Sequence, residues 1–202
     1  MLTSMPSETA FRSDAHFDQA SFLRWLRKRP ASDLNHYELI EGRIVMTPPA
    51  GWPHACIGSN LVEVIAAHVK QHRLGIVLDS SAGYDLPSGD TVEPDVSFIS
   101  TERLDAGPRP VRGKFLALVP TLVVEILSPA TSRRGRTEKR AVYERNGVAE
   151  YWIVDPAKET VTVLVLRRQR YGTARPVSVG AIPSRVMPRL RLTVEQVFDL
   201  GL

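Results

Sequence analysis

The sequence predicts a mixed α/β domain in which a mixed sheet is flanked by helices, and three observations carry that expectation. Residues 122–127, Leu-Val-Val-Glu-Ile-Leu, form a nearly all-apolar run of the kind found in a strand buried on both faces. Residues 54–72 place Ile57, Leu61, Val64, Ile65 and Val69 at helical spacing. The patterns follow one another as α-β-β-α-β-β-β-α-β-β-α, an order that suits one domain built on a mixed sheet.

Each element has its own signal. In residues 17–29, Phe17, Phe22, Trp25 and Leu26 alternate with charges, which predicts a short amphipathic helix closed by Pro30. Residues 37–46 read as two strands around a tight Glu41-Gly42 turn, ending at Pro48-Pro49. Strands are expected at 75–78 and 96–99, and residues 101–112 read as a loop marked by Gly107, Pro108 and Pro110. A basic helix at 137–146 stops at Gly147. Strands at 150–154 and 160–166 follow, joined by a turn at Asp155-Pro156, and Thr193 opens a short helix in 192–200.

Length and composition bound the answer. The chain has 202 residues, enough for one domain with a sizeable core and too few for two comfortable ones. Residues 1–15 read as a flexible N-terminal tail and 16–202 as the single domain. No apolar run approaches the ~20 residues that span a bilayer, and the N-terminus lacks the basic and apolar regions of a secretory signal. A single cysteine, Cys56, excludes an internal disulfide and fits a reducing compartment, so the expected location is cytoplasmic. The net charge of +4 permits a polyanionic partner. Arg133, Arg134, Arg136, Lys139 and Arg140 are clustered just after Glu125; Arg167, Arg168 and Arg170 form a second group that reads as a solvated face.

Two carboxylates stand at strand ends. Asp95 follows Pro94 at the mouth of one strand, and Glu125 lies inside the apolar run of another. A carboxylate within Leu-Val-Val-Glu-Ile-Leu is costly to desolvate unless it is paired or coordinated. The alternative is that Asp95 caps a turn and Glu125 makes a buried ion pair. Magnesium needs few carboxylates and keeps several waters, and hydrolysis of a phosphodiester needs such a metal to activate water. Lys139, one helix later, is placed to orient the water and neutralise developing charge, or is one surface lysine among many. Tyr143 shares its helical face. Glu38 is either a further metal-supporting group or the cross-strand partner of an arginine. His54 either contacts phosphate or caps its helix, and the structural role is preferred; Ser128 reads as the cap of a turn, and Trp52 and Trp152 as core rather than base-stacking platforms. Neither a Gly-x-Ser-x-Gly elbow, nor a Gly-rich phosphate loop, nor a Cys/His zinc pattern is present.

Taken together, Tyr37-Glu38-Leu39-Ile40-Glu41-Gly42, His54, Glu93-Pro94-Asp95-Val96, Val124-Glu125-Ile126-Leu127-Ser128-Pro129, Lys139, Tyr143, and Glu150-Tyr151-Trp152-Ile153-Val154-Asp155-Pro156 closely resemble the Uma-two family. These are bacterial proteins assigned to the PD-(D/E)XK restriction-endonuclease superfamily, and the resemblance runs from Tyr37 to the C-terminus. It implies a restriction-endonuclease-like core, with Asp95 as the Asp of the PD motif and Glu125 as the acidic residue of the second half-motif. Leu127 stands where the superfamily's lysine is expected, and the resemblance implies that Lys139 takes its part. Glu38 matches the family's N-terminal acidic position. Gly135 is a departure, because many members carry Asp there.

The expected activity is a Mg²⁺- or Mn²⁺-dependent DNA endonuclease. Asp95 and Glu125 would hold the metal, with the Ile126 carbonyl joining. Lys139 and Glu38 would complete the catalytic set, and Arg133, Arg134, Arg136 and Arg140 would contact phosphates. A homodimer is the simplest way to cut two strands. The Gly135 departure and the displaced lysine motivate a second reading, a nucleic-acid or protein binding module on an inactive nuclease scaffold. A metal-free acid/base hydrolase would need a sugar-sized cleft, for which the sequence offers no sign.

Overall fold

The computed structural model describes residues 11–128 and 135–201. The chain forms a mixed α/β domain with two sheets flanked by helices. Helix α1 (Gln19–Leu26) is opened by Asp18, whose side chain accepts from the Ser21 amide in a reciprocal capping box. Strands β1 (His36–Ile40) and β2 (Arg43–Thr47) make a hairpin. Its turn residues Glu41 and Gly42 both take positive φ, 52° and 74°, the turn geometry that matches strand twist. Helix α2 (His54–His72) has the predicted bounds, and β3 (Gly75–Asp79), β4 (Tyr84–Asp85), β5 (Thr91–Val92) and β6 (Val96–Ser100) follow.

The second half carries α3 (Thr101–Ala106), β7 (Leu122–Ile126), a wide π-type turn (Gly135–Lys139) running into α4 (Arg140–Arg145), then β8 (Glu150–Asp155), β9 (Thr160–Arg167), β10 (Arg170–Tyr171) and α5 (Val194–Val197). The larger sheet has the order β10-β9-β8-β7-β6-β3, and a smaller one has the order β2-β1-β5-β4. All pairs are antiparallel except β7 with β8.

Four expectations change. Residues 101–106 are helical rather than loop, because the Ser100 side chain accepts from the Arg103 amide and starts a helix before Gly107 ends it. The sheet expected around the hairpin is a separate, smaller one, completed by two-residue strands too short to show alternation. Trp52 is 66% exposed, not core; it lies in the connection from β2 to α2. Trp152 is fully buried. Phe11 to Ser13, within the stretch read as tail, run along β2: the Met46 amide donates to Phe11 O and the Ser13 amide to Ile44 O, both at 2.9 Å. Residues 1–10 lie outside the described residues.

Alternation along the central strands divides the core. Leu122, Val124 and Ile126 of β7, with Val96 and Phe98 of β6, pack under Ile57, Leu61, Ile65 and Val69 of α2 and against a C-terminal segment that includes Met187, Leu192 and Val197. Val123 and Ile99 face the opposite way, into a cluster with Val142 and Tyr143 of α4 and Ile40, Tyr84 and Val92 of the smaller sheet. Buried Glu150 pins the C-terminal segment to β8. It accepts from the Trp152 indole at 2.7 Å and from the Arg185 and Val186 amides at 2.8 and 3.3 Å.

Gly75 starts β3 with φ at 146°, and a Cβ there would stand 2.0 Å from Ile99 O. Gly75→Ala is therefore expected to cost more than ~1 kcal/mol, read as a lower urea midpoint at unchanged slope. An unchanged midpoint would contradict the close approach.

Candidate active site

The site grows out of strand parity. Asp95, Ser97 and Ile99 alternate with Val96 and Phe98, so Asp95 belongs to the face of Ile99. By the same rule Glu125 shares the face of Val123. Val96 pairs with Val124 in an antiparallel register, which continues to set Asp95 opposite Glu125. Directly opposed residues project to the same side of a sheet. The two carboxylates therefore share one face, and the Ile126 amide donates to Asp95 Oδ2 at 2.7 Å.

Three other elements converge on that face. The turn before α4 delivers Lys139, whose Nζ donates to both oxygens of Glu125, each at 2.8 Å. The same ammonium lies 2.9 Å from Glu38 Oε1, on β1. That oxygen also accepts from the Glu93 amide at 2.9 Å. One turn on, the Tyr143 hydroxyl donates to Glu125 Oε1 at 2.5 Å. The smaller sheet is held in place by buried Asp90, which accepts from the Glu41 amide at 2.7 Å and from Arg145 of α4 at 2.6 Å. Asp90 thus locks the hairpin turn to the helix that follows Lys139. The hairpin's Glu38 and the helix's lysine meet because of it.

His54 begins α2 behind Pro53, and its Nε2 lies 3.3 Å from Asp95 Oδ1. The structural reading at its helix start therefore misses a residue that touches the site. At the rim, His36 Nδ1 lies 3.0 Å from Glu93 Oε2, a pair with no signal in the sequence. Asp90 was also missed as the clasp, since an acidic residue in a turn between two-residue strands looks like any loop aspartate. Arg140 donates to Tyr171 O at 2.9 Å, so one of its donors is spent on the protein. Arg133 and Arg134 lie outside the described residues, as do Pro129, Ala130, Thr131 and Ser132. The cross-strand arginine alternative for Glu38 gives way to Lys139.

Charge is out of balance here. Glu38, Asp95 and Glu125, when ionised, outnumber Lys139 and a protonated His54 together. Burial pushes the Glu125 carboxyl up to about 7, Lys139 opposes the shift, and Asp95 and Glu38 add to it. Burial works against the Lys139 charge, but Glu125 and Glu38 hold its ammonium above the ordinary lysine value. For His54, burial also opposes the charge, yet the bond to Asp95 with help from Glu125 leaves the imidazole raised. The Glu93 bond raises His36.

This donor set suits a hard divalent cation. It offers carboxylate oxygens on one face and a surplus of negative charge. Among the described residues no three or more His, Cys, Asp or Glu side chains form a ready metal cage. Magnesium does not require one, since one or two carboxylates and several waters satisfy it. Asp95 and Glu125 are the pair that would hold the ion.

The shared charge has a measurable consequence. Glu38→Gln is expected to lower the Glu125 midpoint from about 7, followed by carboxyl-carbon NMR of the metal-free protein. The sign for stability follows, because the folded value lies above the ordinary 4.5. The contribution is complete below 4.5 and is lost as pH rises through about 7. A Glu125 midpoint unmoved by Glu38→Gln would mean the carboxylates do not share one charge.

Comparison with known proteins gives the family and the fold. Residues 20–195 match the model of the Uma2 family, described as "Putative restriction endonuclease". The fold is similar to that of a crystal structure described as "a putative nuclease belonging to DUF820" from Anabaena variabilis ATCC 29413. The TM-score is 0.73 at 24% identity, over 89% of this chain and 98% of that one. No curated protein matches the chain. Among the described residues no helix is long and apolar enough to cross a membrane. With the family model spanning all the elements that build the site, the chain belongs to the Uma2 restriction-endonuclease family.

Proposed function

We propose that the protein is a Mg²⁺- or Mn²⁺-dependent endonuclease that hydrolyses phosphodiester bonds in DNA. The observation that carries this reading is the convergence of Asp95, Glu125, Lys139 and Glu38 on one sheet face, with more carboxylate than cation. Asp95 and Glu125 hold the metal. When bound, the cation supplies polarisation of a phosphoryl oxygen and a lower pKa for the attacking water. Lys139 orients that water and offsets charge building on the phosphate. Glu38 fixes the lysine, and the Tyr143 hydroxyl fixes Glu125. The arginines around position 134 grip the phosphate backbone, so binding fades as salt rises.

A second reading has its own support. Lys139 bonds both oxygens of Glu125, which satisfies that carboxylate without a metal, and Gly135 replaces an acidic residue frequent in the family. On this reading the chain binds nucleic acid or a protein on an inactive nuclease scaffold. Calorimetric titration with Mn²⁺ separates the two, because the scaffold reading expects no binding at Asp95 and Glu125.

Cleavage of supercoiled plasmid and single-stranded DNA with Mg²⁺ or Mn²⁺ tests the enzyme directly. Wild type is expected to cut and to stop on chelation. Asp95→Asn and Lys139→Met are expected to fall at least ~100-fold, with circular dichroism confirming that they fold. Equal activity in all three preparations would assign the cleavage to a contaminant and sink the site.

A further inference from the structure

Trp52 stands out among the tryptophans. Trp152 is fully buried, and Trp25 packs edge-on against Tyr37 at 5.0 Å with Arg29 over its ring. Trp52 is 66% exposed, and among the described residues no other ring packs on it. Indole carries a large apolar surface that gains by burial, so a bare ring is informative where a bare leucine would not be.

Its position says what it is for. Two residues along the chain, His54 places Nε2 3.3 Å from Asp95 Oδ1. With only Pro53 between them, the Trp52 backbone lies within ~7 Å of that of His54. A strand held at Asp95 passes this end of α2, where the Trp52 ring is exposed. Pro53, with its fixed φ, joins the tryptophan to the first residue of α2 and limits how far it strays. Exposed aromatic rings are the stacking surfaces that single-strand binders use, because every base offers a face to stack. In an intact duplex that face is covered by its neighbours.

We propose that Trp52 is a stacking platform for an unpaired base next to the scissile phosphate. The preferred substrate is then single-stranded or locally unpaired nucleic acid. This rests on the nuclease reading above and names the substrate class for the same site. Trp52 is a positioning residue that binds the strand and takes no part in bond cleavage.

The test is run with Ca²⁺ in place of Mg²⁺ or Mn²⁺, a hard cation that oxygen ligands also hold, so that binding is read without cutting. A short single-stranded oligothymidylate is titrated into the protein while intrinsic fluorescence is followed. A labelled copy of the oligonucleotide reports affinity by anisotropy. Wild-type fluorescence is expected to be quenched, and Trp52→Phe to lose the quench while keeping affinity within about threefold, since phenylalanine still stacks. Trp52→Ala is expected to bind the single strand roughly tenfold more weakly, with duplex affinity unchanged. Undiminished quenching in Trp52→Phe, unchanged affinity in Trp52→Ala, or quenching by protein concentration alone would overturn the proposal; the last would assign the ring to a second copy of the chain. Stacking without any metal-dependent cleavage by wild type would sink the nuclease reading and leave the platform standing. Cleavage with no effect at Trp52 would do the reverse.

Discussion

One ammonium shared between two buried carboxylates is the constraint around which the fold is arranged. Glu125 sits within an apolar strand at the centre of the larger sheet, where an unpaired carboxylate would be expensive. Lys139 answers that cost, but it needs Glu38 as well, and Asp95 adds another negative charge nearby. Breaking such an arrangement from one side leaves an uncompensated buried charge, worth ~3–5 kcal/mol. Packing hydrophobic side chains there would be a simpler route to stability. The core nonetheless keeps several ionisable groups, and burial pushes the Glu125 carboxyl up to about 7.

The larger and smaller sheets have different jobs in that arrangement. The larger one sets Asp95 and Glu125 on one face through strand register, which side-chain rotation alone cannot undo. The smaller one brings Glu38, and its placement depends on a polar clasp. Asp90 reads the backbone of the Glu41-Gly42 turn with one oxygen and the Arg145 guanidinium with the other. Geometry at the reacting centre is therefore supported by a contact well outside it. The fold itself is shared with a crystal structure of 24% identity, so it survives wide divergence in sequence.

How much of this was legible depended on whether a residue's signal is local. Glu125 could be singled out because apolar neighbours make any carboxylate conspicuous. The hairpin announced itself through Glu41-Gly42, and α2 through its period. Lys139 had no such mark: it is one of several basic residues, and only its resemblance to a family position raised it. Its partnership with Glu38 spans about a hundred residues and two sheets, which no periodicity encodes. Trp52 was read as core because large aromatics usually are, and a loop has no periodic pattern to say which way a ring faces. Helix α3 was hidden by Gly107, Pro108 and Pro110, whose turn signals outweighed the quieter cap at Ser100.

The parallel pairing of β7 with β8 has a consequence for how this protein can change. Parallel neighbours cannot be joined by a tight turn, so the chain must leave the sheet after Ile126 and return before Glu150 by a crossover. That crossover holds Lys139 and, in sequence, the arginines at 133, 134 and 136. Surface connections ordinarily tolerate added or lost residues. This one is measured at both ends and in the middle, because its lysine must land on Glu125 while its ends stay in register. Substitution is open to it, whereas insertion between Ile126 and Lys139 shifts the residue on which the charge balance of the core depends.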